Sequence, residues 1–291
     1  MKLFSDLTKL GITIFVVLAA IAGYALGFES EKVFDAIHFI KMIGGTFLLS
    51  SGSLALNQFQ EYKLDAQMPR TAKRPIASGQ ITPMAGLVLA SSFLFGGFYL
   101  LYLVSPLSLV FGLATVVLYN FVYTYWWKPK WIYAAVPGAI PGALPVTIGY
   151  AAVNSNFLSP ESVYLFLILF LWQMPHFWAL AIRYKDDYRE GGIPTLPVAL
   201  GLDRTLYQMG LYTFAYVGCA ILSPVFYKAS WFYALLVFPT SVKLLFETYK
   251  FIKSGGQVGW LKYFMWINVS VLIYLIVPAL DKWNFLFTDT N

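Results

Sequence analysis

A chain of 291 residues that is 59% apolar and only 12% charged, with a mean hydropathy of +0.66, lies outside the range of soluble domains, in which about a quarter of residues are charged. The formal net charge of +6 implies no nucleic-acid partner, because the basic residues sort to one side of a membrane, and the single cysteine, Cys219, excludes an internal disulfide and a cysteine-based zinc site. What remains is an all-α polytopic membrane protein whose residues 1–291 form one integral membrane domain in a lipid bilayer.

Crossing about 30 Å of hydrocarbon takes roughly 20 apolar residues. In chain order, such stretches fall at 10–28, 37–56, 81–104, 106–126, 133–153, 161–182, 205–226, 230–250 and 261–280, which predicts a bundle of nine transmembrane helices around a central cavity. Nine spans put the two termini on opposite sides. Ala20-Ile21-Ala22 inside the first span faintly resembles a leader cleavage site, but the apolar run continues to Phe28 and removal would reverse the parity of the helices, so the segment is retained.

Lys and Arg stay on the cytoplasmic side. With the N-terminus cytoplasmic and the C-terminus outside, fifteen of the twenty basic residues face inward. Lys32, Lys41, Lys228 and Lys282 face outward, and Lys243 falls within a span. The outer connections are short and nearly uncharged, whereas the loops after spans two and six are long, basic and acidic at once. Chemistry is therefore expected at the cytoplasmic face of the cell (inner) membrane. The four-helix interval between those loops hints at two similar halves facing one cavity.

The first loop reads LNQFQEYKLDAQMPRTAKRP from Leu56 to Pro75. Asn57, Glu61 and Asp65 recur every four residues, so on a helix continuing from span two each step drifts only about 40° and all three share a stripe. An amide and two carboxylates are hard oxygen ligands of the kind Mg2+ takes while sharing a substrate's phosphates. A solvated helix end carrying polar residues at i,i+4 would look the same in isolation. Arg70, Lys73 and Arg74 follow, bracketed by Pro69 and Pro75, and offer guanidinium forks and a point charge to phosphate oxygens. The topology rule explains their sign but not their pairing with a ligand stripe.

The second loop, RYKDDYREGGIPTLPV from Arg183 to Val198, holds Asp186 and Glu190 four apart, with Asp187 turned about 100° away. Gly191 and Gly192 end that helix and Pro194 prevents its resumption. Two acidic clusters on one membrane face read as two walls of a metal-diphosphate site. His176, in WQMPHFW, sits within an apolar span; positions 176, 180, 183 and 187 recur on one helical face, which would align His176, Arg183 and Asp187. An imidazole there either ligates iron or substrate, or is satisfied inside the bundle. Tyr119, Tyr123, Tyr125, Trp126 and Trp127, and Trp172, Phe177 and Trp178, serve either as interfacial belts or as walls of an isoprenoid cavity that shield a carbocation.

The stripe NxxxExxxD followed by PRTxxRPxxxGxI resembles the first aspartate-rich motif of the UbiA superfamily of intramembrane prenyltransferases. WQMPHFWALAIRYKDDYREGGIPTLPV is similar, more narrowly, to the protohaem IX farnesyltransferase (haem O synthase) branch, and the likeness extends to PGAIPGALPVTIGY at 137–150. The resemblance implies farnesyl diphosphate as donor, haem B as acceptor and Mg2+ as cofactor, with a downstream haem A synthase or terminal oxidase assembly to take the product. Carried over by position, Asn57, Glu61, Asp65, Asp186, Asp187 and Glu190 are the metal ligands, Arg70, Lys73, Arg74 and Arg183 the diphosphate ligands, and His176 the haem-binding residue, with Asp65, Asp187 and Arg70 catalytic. Glu61 stands where aspartate is usual. A relative prenylating an aromatic quinone precursor shares the first block but not the second. A cation-coupled carrier would bury charge near the midplane, and apart from Lys243 and Glu247 the spans are nearly free of it.

Overall fold

The computed structural model describes residues 2–288, with side chains through Trp283; residues 289–291, whose outer placement the charge pattern predicts, lie outside the described residues. Among the described residues the chain is helical throughout and contains no strand. A short α1 (Lys2–Thr8) leads into α2 (Leu10–Gly27) and α3 (Ala36–Asp65), then α4 (Pro83–Val104) and α5 (Pro106–Val116). A π-helix continues α5 over Val117–Trp127 into the single turn α6 (Lys128–Lys130). There follow α7 (Ala135–Ala151), α8 (Pro160–Arg183), α9 (Lys185–Glu190), α10 (Leu196–Ala199), α11 (Gly201–Ile221), a 3-10 turn (Ser223–Val225), α12 (Trp231–Lys253) and α13 (Trp260–Thr288).

Helices occupy each of the nine stretches read from the sequence. Six are long and apolar enough to cross a membrane: Leu10–Gly27, Ala36–Asp65, Pro83–Val104, Pro106–Lys130, Pro160–Arg183 and Trp260–Trp283. The apolar α7 is shorter. Asp203, Arg204 and Gln208 dilute the apolar run of α11, and Lys243 with Glu247 that of α12, so neither meets the same standard.

Start signals act where they stand. Asp35 caps α3 by accepting the N–H groups of Ile37 and His38 at 2.9 and 3.1 Å, and Thr82, just ahead of Pro83, accepts that of Ala85. In a bilayer the helices gain little from hydrophobic association, and close packing with interhelical hydrogen bonds holds them together. Small residues make that packing possible between α2 and α7. A Cβ added to Gly23 would collide with the carbonyl of Val146, and one on Gly149 with the carbonyl of Ala20, so the two backbones touch reciprocally. The largest buried cluster unites α8, α11, α12 and α13 through Tyr164, Trp178, Tyr216, Tyr263 and Tyr274, and its phenols are bonded within it: Tyr164 and Tyr233 lie 2.7 Å apart, oxygen to oxygen.

Candidate active site

Nothing breaks the helical pattern of α3 before Pro69, and the helix runs on past the apolar segment to Asp65. Its last turns bury the predicted stripe: Asn57, Glu61 and Asp65 are 3%, 7% and 1% exposed. Buried polar groups on this scale require partners, and the π-helix and the first residue of α6 provide them. Ser53 donates to Asn120 Oδ1 at 2.5 Å, Asn57 to Thr124 Oγ1 at 3.3 Å, and Lys128 to Glu61 Oε1 at 2.5 Å. In every rung the partners are 67 positions apart, so α3 and the π-helix run parallel and in register, meeting at every fourth residue. Asn120 Nδ2 closes the ladder by donating to the carbonyl of Ser53 at 2.8 Å and to Gln60 Oε1 at 3.2 Å.

Asp65 is held from the other side. Arg74 Nη1 donates to both of its carboxylate oxygens, at 2.7 and 2.6 Å, and the Thr71 hydroxyl donates to its carbonyl at 3.0 Å, which folds PRTAKRP back over the end of α3. Arg70 and Lys73 remain exposed on that loop.

The second loop packs directly on the first. The N–H of Arg70 donates to Asp187 Oδ2 at 3.2 Å, and its guanidinium lies 5.2 Å from the ring centre of Tyr184 and 5.7 Å from that of Tyr188. Met68 is buried with Tyr188 and Ile193, and Gly191 leaves just enough room for its sulfur. Burial raises the Tyr188 phenol above its ordinary pKa, with Glu61 and Asp187 adding to the rise and Arg70 and Arg74 opposing it. As the sequence predicts, α9 ends at Gly191, followed by left-handed Gly192 at φ 65°.

The six predicted metal ligands are not drawn into one knot. Asp186 is exposed and pairs with Arg189 at 2.7 Å, Glu190 is exposed, and Glu61 and Asp65 are occupied by Lys128 and Arg74. Among the described residues no group of three or more His, Cys, Asp or Glu side chains is close enough to hold a metal ion. His176 and Arg183 share α8 as predicted, but the alignment does not reach Asp187: Tyr184, at φ −113° and ψ 33°, separates α8 from α9 and turns Asp187 off the axis of α8. Arg183 is exposed, its guanidinium 5.7 Å from the centre of Trp260. His176 sits between Trp172 and Phe264, ring centres at 4.5 and 5.0 Å, and its Nδ1 is buried with no hydrogen-bond partner among the described residues.

Two cavities meet at this face. A polar basin of about 850 Å³ is lined by Asp6, Lys9, Arg70, Lys73 and Arg74, among others. An apolar chamber of about 240 Å³ runs into the bundle between α2, α3, the π-helix and α7, with Leu49, Tyr119, Pro141, Pro145 and Ile148 on its walls and Gln173 of α8 beside them. Tyr119 therefore walls a cavity, whereas Tyr125 and Trp126 are 56% exposed and point outward as a belt would. Trp178 is fully buried packing.

Two site residues escaped the sequence reading, Lys128 and Lys9. Both count there only as cytoplasmic charges. No spacing rule links Lys128 to a carboxylate 67 positions away, and nothing in LTKLG foretells that Lys9 borders both cavities. Burial pushes the Lys9 ammonium down to a pKa of about 7, helped by Arg74 and Lys128 and opposed by Glu61 and Asp65.

The sequence matches the UbiA prenyltransferase family over residues 15–269. It is 57% identical over 291 residues, the whole of both chains, to a protein of Bdellovibrio bacteriovorus named protoheme IX farnesyltransferase. Among solved structures, it is similar to that of a digeranylgeranylglyceryl phosphate synthase, with a TM-score of 0.77 and 16% identity over 96% of this chain and 97% of that one. It also resembles a UbiA homologue from Archaeoglobus fulgidus bound to GPP and Mg2+, with a TM-score of 0.64 and 12% identity over 95% and 99% of the two chains. At such identities the structural likeness concerns the fold.

Proposed function

The chain belongs to the UbiA prenyltransferase family, and on that footing we propose that it is a protohaem IX farnesyltransferase: it moves the farnesyl group of farnesyl diphosphate to a vinyl group of haem B and yields haem O and diphosphate. The observation that carries this reading is the full-length 57% identity to a relative bearing that name. The junction of the two loops at Arg70 and Asp187 supports it, since it brings both acidic segments to one mouth. The reading includes nine membrane-spanning helices, a cytoplasmic N-terminus and a site at the cytoplasmic face of the cell membrane, supported by the distribution of Lys and Arg.

Magnesium suits the donor chemistry of the buried Asn57, Glu61 and Asp65 on α3 and of Asp187 across the Arg70 contact, whose amide and carboxylate oxygens would hold the ion once Lys128 and Arg74 give way, with Asp186 and Glu190 exposed beside them on α9. When bound, the ion supplies charge neutralisation to the diphosphate. The protein's own residues divide the remaining work. Arg70, Lys73 and Arg74 line the basin and receive phosphate oxygens, and Arg183, exposed at the end of α8, is a further cation for the anion. The apolar chamber holds the isoprenoid and keeps water from the allylic carbon, and the ring of Tyr119 faces the chain within it. The bond from C1 to oxygen breaks with its electron pair staying on the diphosphate. C1 then bonds to the terminal vinyl carbon of the haem, water adds to the inner carbon, and one proton is released. His176 is the residue we assign to the haem, its buried Nδ1 having no hydrogen-bond partner among the described residues.

The test is direct: purified protein is incubated with haem B, farnesyl diphosphate and Mg2+, and the porphyrin is followed by mass. A hydroxyethylfarnesyl adduct that disappears on chelation is expected. Prenylated hydroxybenzoate with unmodified haem would instead favour a quinone-precursor prenyltransferase.

A further inference from the structure

We propose that Lys9 is a catalytic residue whose ammonium meets the oxygen joining the isoprenoid C1 to the diphosphate. The proposal rests on the prenyltransferase reading and assigns a group to the bond that breaks.

The basin and the chamber join at the start of α2. Among the described residues only Lys9 and Ile12 border both cavities, and they stand three residues apart. A prenyl diphosphate placed with its anion in the basin and its chain in the chamber has its scissile C–O bond at that junction. Of the two residues there, Lys9 alone carries a polar side chain.

The backbone is built to put it there. Lys9 is the one non-glycine residue with positive φ among those described, at φ 47° and ψ 57°, a left-handed conformation that is unfavourable for a residue bearing a Cβ. That residue alone separates α1 from α2. Its carbonyl receives the N–H groups of Ile12 and Thr13 at 2.8 and 3.2 Å and so opens α2. Upstream, Gln58, fully buried on α3 between Asn57 and the rest of the acidic stripe, donates to the carbonyls of Asp6 and Leu7 at 2.8 and 2.9 Å. The helix that carries the predicted ligands thus also fixes the turn that carries Lys9. A lysine kept only for membrane topology needs neither the strained backbone nor the buried glutamine.

The field of the site acts on the same group: Arg74, Lys128, Glu61 and Asp65 all influence its protonation. An incoming diphosphate favours the charged form. As the bond from C1 to oxygen breaks heterolytically, the electron pair passes to that oxygen, and a Lys9 N–H donates a hydrogen bond to it. Lys9 keeps its protons, and the allylic cation is left in the chamber.

Lys9→Gly is the decisive variant, because it removes the amine while relaxing the left-handed backbone and so leaves no reason to misfold. Lys9→Arg keeps the charge. The readouts are release of inorganic diphosphate from farnesyl diphosphate and Mg2+ with no haem present, farnesylated haem by mass, and rescue by added methylammonium. Lys9→Gly should lose about 10²-fold in kcat for diphosphate release, with KM moved by less than about threefold, and methylammonium should restore part of the loss; Lys9→Arg should fall between the two. A Lys9→Gly enzyme with kcat within about twofold of wild type, or a loss borne by KM alone and unaffected by methylammonium, overturns the proposal. Wild-type protein that releases diphosphate but leaves haem unmodified refutes the haem assignment, and Lys9 is then still judged on release. Wild-type protein that releases no diphosphate refutes both.

Discussion

Asp187 accepts the backbone N–H of Arg70 at 3.2 Å, so one carboxylate of the second loop fastens the first loop by its main chain, whatever the Arg70 side chain does. Asp187→Asn keeps the size but weakens the charge-assisted character of that bond. The expected outcome is faster amide exchange from Met68 to Lys73 and at least about tenfold lower turnover. Unchanged exchange in that segment would show that the loops are held together by Met68 and Tyr188 alone.

Glu61 and Asp65 already have cationic partners in Lys128 and Arg74. Removing divalent metal should therefore stop turnover without unfolding the protein, the melting temperature falling by less than about 4 °C. Mg2+ alone must displace two close ion pairs and should bind weakly. Mg2+ with inorganic pyrophosphate should bind cooperatively, since the released Lys128 and Arg74 gain phosphate oxygens, with a coupling of about 1–3 kcal/mol. Titration calorimetry with each component alone and together measures this, and simple additivity would count against the exchange of partners.

The polar ladder between α3 and the π-helix makes a thermodynamic statement. Ser53→Ala and Asn120→Leu each remove a member of the same rung, so their costs should not add; the interaction in a double-mutant cycle should be about 0.6 kcal/mol or more. Asn120→Leu should also raise the Mg2+ concentration needed for half-maximal turnover, because Asn57 and Glu61 share that register. A change in stability with an unmoved metal requirement would confine the ladder to packing.

Lys9 gives the stability a pH dependence with a definite sign. Its folded pKa of about 7 lies below the ordinary 10.5, so between those values the unfolded chain binds the extra proton. Stability should then rise with pH across that window, relative to Lys9→Gly. Parallel unfolding curves for wild type and Lys9→Gly from pH 7 to pH 10 would contradict a desolvated ammonium.

The helical placement of the first predicted stripe and the end of α9 are readable for different reasons. Asn57, Glu61 and Asp65 have regular i,i+4 spacing with no breaker until Pro69, and the end of α9 is announced by Gly191 and Gly192. The break at Tyr184 was not readable, since neither glycine nor proline marks it and periodicity alone carries a stripe across. Lys128 could be found only through the parallel packing of helices far apart in sequence, and the widened turns of the π-helix that set its register leave no compositional mark in VLYNFVYTYWW. Lys9 defeats sequence reading for a related reason: a left-handed lysine is imposed by its surroundings, here by Gln58, and not by its own preference. Helices stand at both of the stretches 205–226 and 230–250, but Asp203, Arg204 and Gln208 at the start of α11 and Lys243 with Glu247 in α12 lower their mean hydropathy below that of the six longest apolar helices.

The backbone contact of α2 and α7 at Gly23 and Gly149 bears on how such a protein would diversify. Where two main chains already touch, the gap between the helices is set by peptide geometry, and side-chain replacement along the chamber can lengthen or shorten it but not make it broader. Tolerance for longer or shorter isoprenoid tails should evolve at positions such as Leu49 and Ile148, while either glycine would resist change in every descendant that keeps the fold.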